Sequence, residues 1–215
     1  MTRSSSSAAP TGCPLVRPAV YGAVPSRLID GSRSGDILVV CTGNIARSAM
    51  AEAMLRARLA GRSLDARVHS AGFVAWPGPS PPALVAVMRE YGLDLSGHAS
   101  RSVTGALVAG ADLVLGMTRE HVWGVLAHDP DAGARTFLIV EAARLGTAVG
   151  PRRPDEGLRA WAARVADGRP AGRPLGRPDD EIADPIGEPL DVVRATAARL
   201  DAAAGTIAAL VAPGL

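Results

Sequence analysis

The stretch DILVVCTGNIARSAMAEAMLRARLAG, residues 36–61, sets the architecture. Ile37–Val40 is an unbroken aliphatic run, the pattern of a short strand buried on both faces. After CTGNIAR, Met50, Met54, Leu55 and Leu59 recur at helical spacing, and Gly61 ends the stretch. The first ordered unit is therefore strand, glycine-containing loop, helix, with order beginning at Asp36.

The pattern continues along the chain. Arg67–Ser70 is a second strand, and Pro81–Tyr91 a helix opened by proline and closed by Gly92. Asp112–Met117 is a third strand, after which Thr118 caps a helix running to Ala127. Arg135–Val140 is a fourth strand and Glu141–Leu145 a short helix. Glu188–Val211 is a long alanine-rich helix with Leu190, Val193, Ala197, Leu200, Ala204 and Ile207 on one face. Strands alternating with helices predict an α/β fold: a single domain, a four-stranded parallel sheet with helices on both faces. In such folds ligands sit beyond the carboxyl ends of the strands, where the loop beginning at Cys41 falls.

Two segments stand outside the pattern. Residues 1–35 are rich in Ser, Pro and Gly without sustained periodicity, and read as a disordered tail. Residues 147–180 cluster Pro, Gly and Arg around one helical stretch, Glu156–Ala166, and read as an insertion in a domain spanning 36–212.

The 215 residues suffice for one domain with a full core and are too few for two of ordinary size. With 47% apolar but only 3% aromatic residues, aliphatic side chains and alanine must fill that core. All 23 basic residues are arginine, and the net charge is +2. The positive excess sits in residues 1–35 and 147–180, with no basic face interleaved with aromatics, so nucleic-acid binding is not expected. Cys13 and Cys41 do not make a disulfide framework. No apolar run approaches the roughly 18 residues of a membrane span. The opening MTRSSSSAAPTGCPLVRP lacks the apolar core of a secretory signal. The chain reads as cytoplasmic, where a thiol stays reduced.

The chemistry lies in Cys41-Thr42-Gly43-Asn44-Ile45-Ala46-Arg47-Ser48. A loop feeding a helix N-terminus turns backbone N–H groups inward and adds the positive end of the helix dipole, so an anion can sit there. A thiol in that field ionises more easily. Arg47 presents a planar fork of donors matched to two phosphate oxygens. Ser48 can donate to the thiolate, and Gly43 permits close backbone approach or a positive φ. The competing reading is a buried structural cysteine with Arg47 on the surface. His69, His121 and His128 have no metal-ligand spacing, so no metal and no cofactor are expected.

VCTGNIARS closely resembles the nucleophile loop of low-molecular-weight protein tyrosine phosphatases. HSAGF at 69–73, YGLDLSGHASR at 91–101, ADLVLGMTREH at 111–121 and DEIADPIGEP at 180–189 follow in that family's order. The resemblance implies a metal-independent phosphatase with Cys41 as nucleophile, Arg47 as phosphate clamp and Asp184, of the Asp-Pro motif, as general acid. Residues 42–46 and Ser48 would line the phosphate cup, and Trp76 and Ile186 the walls of the substrate pocket. Asn44, Ser70 and His98 match positions that support the loop. Asp179, Asp180 and Glu181 are rivals to Asp184 by proximity. The expected partner is a phosphotyrosine-containing protein or a small aryl phosphate.

Three departures from the family pattern matter. Ala46 stands where many members have a second cysteine, so no disulfide forms within the loop. Ile186 and Gly187 replace the usual tyrosines after Asp-Pro, making one pocket wall aliphatic. Ile45 stands where the related arginine phosphatases carry threonine, favouring phosphotyrosine by analogy. The alternatives are a phosphate-recognising binding module with little turnover, an arginine phosphatase, and an arsenate reductase. The last needs further cysteines, which the catalytic region lacks.

Overall fold

The computed structural model describes residues 35–60, 62, 64–74, 76–170 and 175–212. The expected tail, with Cys13, lies outside the described residues except for Gly35, which opens the first strand. The strands are β1 (Gly35–Cys41), β2 (Ala66–Gly72), β3 (Leu113–Gly116) and β4 (Thr136–Leu138). The helices are α1 (Arg47–Leu59), α2 (Pro82–Glu90), α3 (Gly105–Gly110), α4 (Arg119–His128), α5 (Ile139–Val149), α6 (Leu158–Asp167) and α7 (Leu190–Val211). The strands form one parallel sheet in the order β2-β1-β3-β4. The chain winds from β1 to β2 on one side and then crosses to β3 on the other. The winding direction therefore reverses at β1, and in open parallel sheets the ligand crevice lies at that reversal, beyond the strands' carboxyl ends. Cys41 is the last residue of β1.

Strand periodicity sorts the core into two layers. Ile37, Val39 and Cys41 of β1 face the larger cluster, with Met50, Met54 and Leu55 of α1 and Val193, Ala197, Leu200 and Ile207 of α7. Leu38 and Val40 face the other side, against Val108 of α3 and Val125 of α4. Helices thus cover both faces, as the alternation of elements requires. Of the apolar stripe expected on α7, Leu190 alone misses the core. It is the helix's first residue and 42% exposed.

The segment 147–180 contributes to this core where it is described. The helix expected over Glu156–Ala166 runs Leu158–Asp167, and its Trp161 is fully buried with its indole N–H donating to the Gly150 carbonyl at 3.1 Å. Arginines hold the segment in place. Arg164 clamps the Glu156 carboxylate and the carbonyls of Val149 and Pro151. Arg159 reaches the carbonyls of Ala109 and Ala111. Elsewhere the boundaries shift. Glu141 accepts from the Leu138 N–H at 3.2 Å, so α5 begins earlier than expected and β4 is three residues long. Helix α3, capped by Thr104 on the Leu107 N–H, is not legible in the sequence because two of its six residues are glycine.

Candidate active site

Cys41 ends β1, five residues turn, and α1 begins at Arg47. No acidic residue stands in the first turn of α1, so the positive end of its dipole is uncompensated and faces the loop. The loop is held by hydrogen bonds whose directions follow from the donors. Asn44 Nδ2 can only donate, and it does so to Ser48 Oγ at 3.0 Å and Ser70 Oγ at 2.7 Å. Ser48 Oγ therefore accepts from Asn44, and its own proton is free for Cys41 Sγ, 2.9 Å away. Ser70 directs its proton to the Glu52 carboxylate. The hydrogen bonds thus run outward from Asn44 in fixed directions, through Ser70 to Glu52 and through Ser48 to the sulfur.

Asn44 is the pivot of the loop. It is the one non-glycine residue with positive φ among the described residues, at 52°. The sequence alone suggests Gly43 for that freedom. Asparagine tolerates the left-handed region because its short polar side chain bonds locally. Its backbone carbonyl accepts from His98 Nε2 at 2.6 Å, and its side-chain oxygen from the Arg101 N–H at 3.0 Å. Ser100 Oγ donates to the Gly43 carbonyl at 2.9 Å. The glycine that the site cannot do without is Gly72, paired with Cys41 in the sheet. A Cβ there would lie 2.7 Å from the Thr42 carbonyl oxygen and 2.8 Å from the Asn44 nitrogen, both backbone atoms.

Arg47 is 5% and Asp184 44% exposed in the side chain, and Arg47 Nη2 donates to Asp184 Oδ2 at 2.5 Å. Arg47 also donates to the Ile182 carbonyl and to Thr42 Oγ1, each at 3.2 Å. Its buried Nε–H has no hydrogen-bond partner among the described residues, a cost that native proteins seldom carry without a reason. The segment bearing Asp184 is pinned to the end of β3, where the Ile182 N–H donates to the Met117 carbonyl at 2.8 Å. Asp184 in turn accepts from the Ile186 N–H at 3.2 Å.

The rival acids are engaged elsewhere. Asp180 is buried beneath Arg144, and Glu181 pairs with Arg119 at 2.8 Å. Burial pushes the Asp180 carboxyl up, but the bonds from Arg144 and the Arg177 N–H together outweigh it, and the group stays below the usual carboxylate range. The Arg119 guanidinium holds Glu181 down in the same way, against a weaker effect of burial. Asp179 is exposed, and its described bond is through its backbone carbonyl to Arg199. Of the four acids, Asp184 is the one that reaches Arg47.

The structure brings Cys41, Thr42, Asn44, Arg47, Ser48, Ser70, His98 and Asp184 together. Ile45 and Ala46 are buried, each 2% exposed. Trp76, 50% exposed, lies beside Gly43, where an added Cβ would come within 3.8 Å of the Trp76 Cβ. Ile186, 43% exposed, follows the Asp-Pro turn. Trp123 is exposed on α4.

Sequence reasoning misses one contributor, His121, which spacing considers only as a metal ligand. Its Nδ1 accepts from the Thr118 backbone N–H at 3.0 Å, so the proton is on Nε2, which donates to Thr42 Oγ1 at 3.0 Å. That hydroxyl is the one Arg47 also contacts. Burial, then the facing Arg47 charge, pushes the imidazole down to about 4, so it is neutral at physiological pH. Its ring stacks on Phe73 at 6.0 Å. The available signal is its place three residues after the Thr118 cap, on the first turn of a helix at a strand's carboxyl end.

Among the described residues no group of three or more metal-ligating side chains occurs, and no helix is long and apolar enough to cross a membrane.

The family model for low molecular weight phosphotyrosine protein phosphatases matches residues 36–141. A relative from Ralstonia nicotianae, described as a probable low molecular weight protein-tyrosine-phosphatase, EpsP, is 36% identical over 141 residues, covering 60% of this chain and 94% of that protein. A protein-arginine-phosphatase from Bacillus subtilis is 42% identical over 87 residues, covering 40% of this chain and 57% of that protein. The solved structure of the tyrosine phosphatase Wzb from Escherichia coli K30, in complex with sulphate, aligns with a TM-score of 0.59 at 25% identity, covering 81% of this chain and 96% of that one.

Proposed function

The chain belongs to the low molecular weight phosphotyrosine protein phosphatase family, and on that footing we propose that it hydrolyses phosphotyrosine in protein substrates through a phosphocysteine on Cys41. The Cys41 sulfur attacks phosphorus, forming the S–P bond as the P–O bond to the tyrosine breaks. Arg47 and the loop N–H groups hold the phosphoryl oxygens, whose negative charge they match in the transition state. Asp184 gives its proton to the departing phenolic oxygen, then takes one from the water that cleaves the S–P bond. Ser48, already donating toward Sγ, stabilises the sulfur as it leaves. No step calls for a metal, so chelation by EDTA leaves turnover intact.

The observation that carries this reading is the meeting of the Cys41–Ser48 loop with a carboxylate distant in sequence. Cys41 is tied to Ser48, one residue after Arg47, and Arg47 is tied to Asp184, 137 residues away. Binding a phosphate calls for neither a thiol nor an acid, which disfavours a binding module without turnover. A reducing compartment such as the cytoplasm suits a thiol nucleophile. On the same reading residues 36–212 form the phosphatase domain and 147–180 are an insertion in it.

The similarity to the arginine phosphatase supports a second reading, phosphoarginine hydrolysis at the same site. Ile45 stands against it, in the place where the related arginine phosphatases carry threonine. One experiment addresses both: kcat/KM for phosphotyrosine, phosphoserine and phosphoarginine peptides on wild-type and Cys41→Ser protein. Preference for phosphotyrosine, abolished in Cys41→Ser, is the expected result. Preference for phosphoarginine transfers the assignment to the second reading, and turnover that survives in Cys41→Ser removes both.

A further inference from the structure

A cavity of about 300 Å³ opens where the segment 147–180 meets α4 and α5, lined by Arg119, Glu141, Arg144, Arg169, Gly176 and Arg177 among others. Such a volume is at the lower end of what holds a small ligand group. Arg119 lies three residues beyond β3, and Glu141 three beyond β4. The cavity is therefore on the same side of the sheet as Cys41. Strands are spaced about 4.8 Å apart, so β4 lies roughly 10 Å from β1, a span of about three residues of extended peptide.

The charges are layered. Glu141 is buried, with its oxygens taken by the Leu138 N–H, the Gly176 N–H and Arg169. Asp180 is buried under Arg144 and the Arg177 N–H, and Glu181 is turned onto Arg119. The carboxylates are thus consumed from below, while the arginines keep donors to spare among the described residues. Arg119 engages Glu181 through its side-chain Nε alone, leaving both terminal nitrogens unbonded. Arg144 spends Nε and Nη2 on Asp180 and keeps Nη1. The Arg177 side chain is exposed, makes no hydrogen bond or ion pair among the described residues, and acts on Asp180 only through its charge. Arg169, stacked on Phe137 and bonded to two carbonyls, is structural. Three guanidiniums with free N–H groups bordering one cavity are matched to an anion.

We propose that this cavity is a substrate subsite that receives an anionic side chain of the peptide, about three residues from the phosphorylated one. The inference rests on the phosphatase reading and names its substrate class: phosphopeptides with acidic flanks. Small aryl phosphates do not reach it.

The test compares kcat/KM for a phosphotyrosine peptide carrying glutamates at the flanking positions, its glutamine counterpart, a counterpart with phosphoserine there, and an aryl phosphate. Wild-type protein is expected to favour the glutamate peptide over the glutamine one by about tenfold at low ionic strength, with the preference shrinking at about 0.5 M salt. Arg177→Gln abolishes the preference and leaves aryl phosphate turnover within about twofold of wild type; Arg177→Glu reverses it. The Arg177 side chain makes no hydrogen bond or ion pair among the described residues, so Arg177→Gln is expected to fold, and retained aryl phosphate turnover checks the fold of both variants. A gain with phosphoserine larger than that with glutamate assigns the site to a second phosphoryl group, a larger gain with glutamate assigns it to carboxylates, and equal gains show a subsite that takes either anion. Calorimetry with phosphonate analogues of the glutamate and glutamine peptides reads the same preference without turnover. Equal kcat/KM and equal affinity for those two peptides in wild-type protein, or an undiminished preference in Arg177→Gln, would overturn the subsite. Aryl phosphate hydrolysis lost in Cys41→Ser tests the phosphatase reading separately.

Discussion

Thr42 Oγ1 is held from two sides, by Arg47 and by the neutral imidazole of His121. His121→Ala removes one of them and is expected to lower kcat/KM for an aryl phosphate by at least about tenfold, since small displacements of positioning groups are costly. His121→Gln, which can still donate from a terminal nitrogen, should recover most of that loss. Equal damage from both substitutions would mean that ring packing on Phe73, and not the hydrogen bond, is what the site uses. The same residue gives a pH dependence. The unfolded chain protonates this histidine near 6.5, the folded chain only at about 4, where burial and Arg47 oppose the charge more than Asp184 and Glu181 favour it. Its contribution to stability is therefore present above pH 6.5 and lost as pH falls toward 4, up to about 3 kcal/mol. Urea midpoints should fall over that window in wild-type protein and fall less in His121→Gln. On the proposed mechanism Asp184 acts at the leaving oxygen, so Asp184→Asn should slow aryl phosphates with poor leaving groups far more than those with good ones. Equal slowing would assign the proton to another group.

The close approach of β2 to the loop after Cys41 is a property of elements, and Gly72 permits it. Gly72→Ala would press a methyl group on two backbone atoms of the loop, and a loss of about 100-fold in kcat is expected with the sheet retained. A circular dichroism spectrum like that of wild type, alongside that loss, checks it. The elements themselves are largely legible in the sequence, because Ile37–Val40 is a short aliphatic run rich in β-branched residues and Met50–Leu59 keeps a helical spacing. What escapes has physical reasons. Helix α3 has no apolar period and two glycines. The positive φ at Asn44, beside a glycine that would accept it more cheaply, is imposed by hydrogen bonds from three separate segments. The partner of Thr42 lies 79 residues away, a pairing that only the sheet order creates. The arginines of 147–180 look like composition, yet Arg159, Arg164 and Arg169 donate to the carbonyls of Ala111, Val149 and Thr136.

Among the described residues α6 and the central strand belong to one core, since Trp161 and Leu158 share a cluster with Ile37 and Val39. Unfolding is therefore expected to be a single transition seen alike by tryptophan fluorescence and by helical signal. Trp161→Ala should lower that stability by about 3–5 kcal/mol without a separate early transition. An early loss of fluorescence in wild-type protein would show the segment to be an independent unit. The order β2-β1-β3-β4 places the thiol, the guanidinium and the acid at one reversal of the winding, and the covalent chemistry proposed for that point is open to direct sight. Acid-quenched Asp184→Asn protein, mixed with an aryl phosphate of good leaving group, should yield a Cys41 peptide heavier by one phosphoryl group in its mass spectrum. Steady turnover with that peptide unmodified, or the phosphoryl group found on another residue, would refute phosphocysteine chemistry at Cys41.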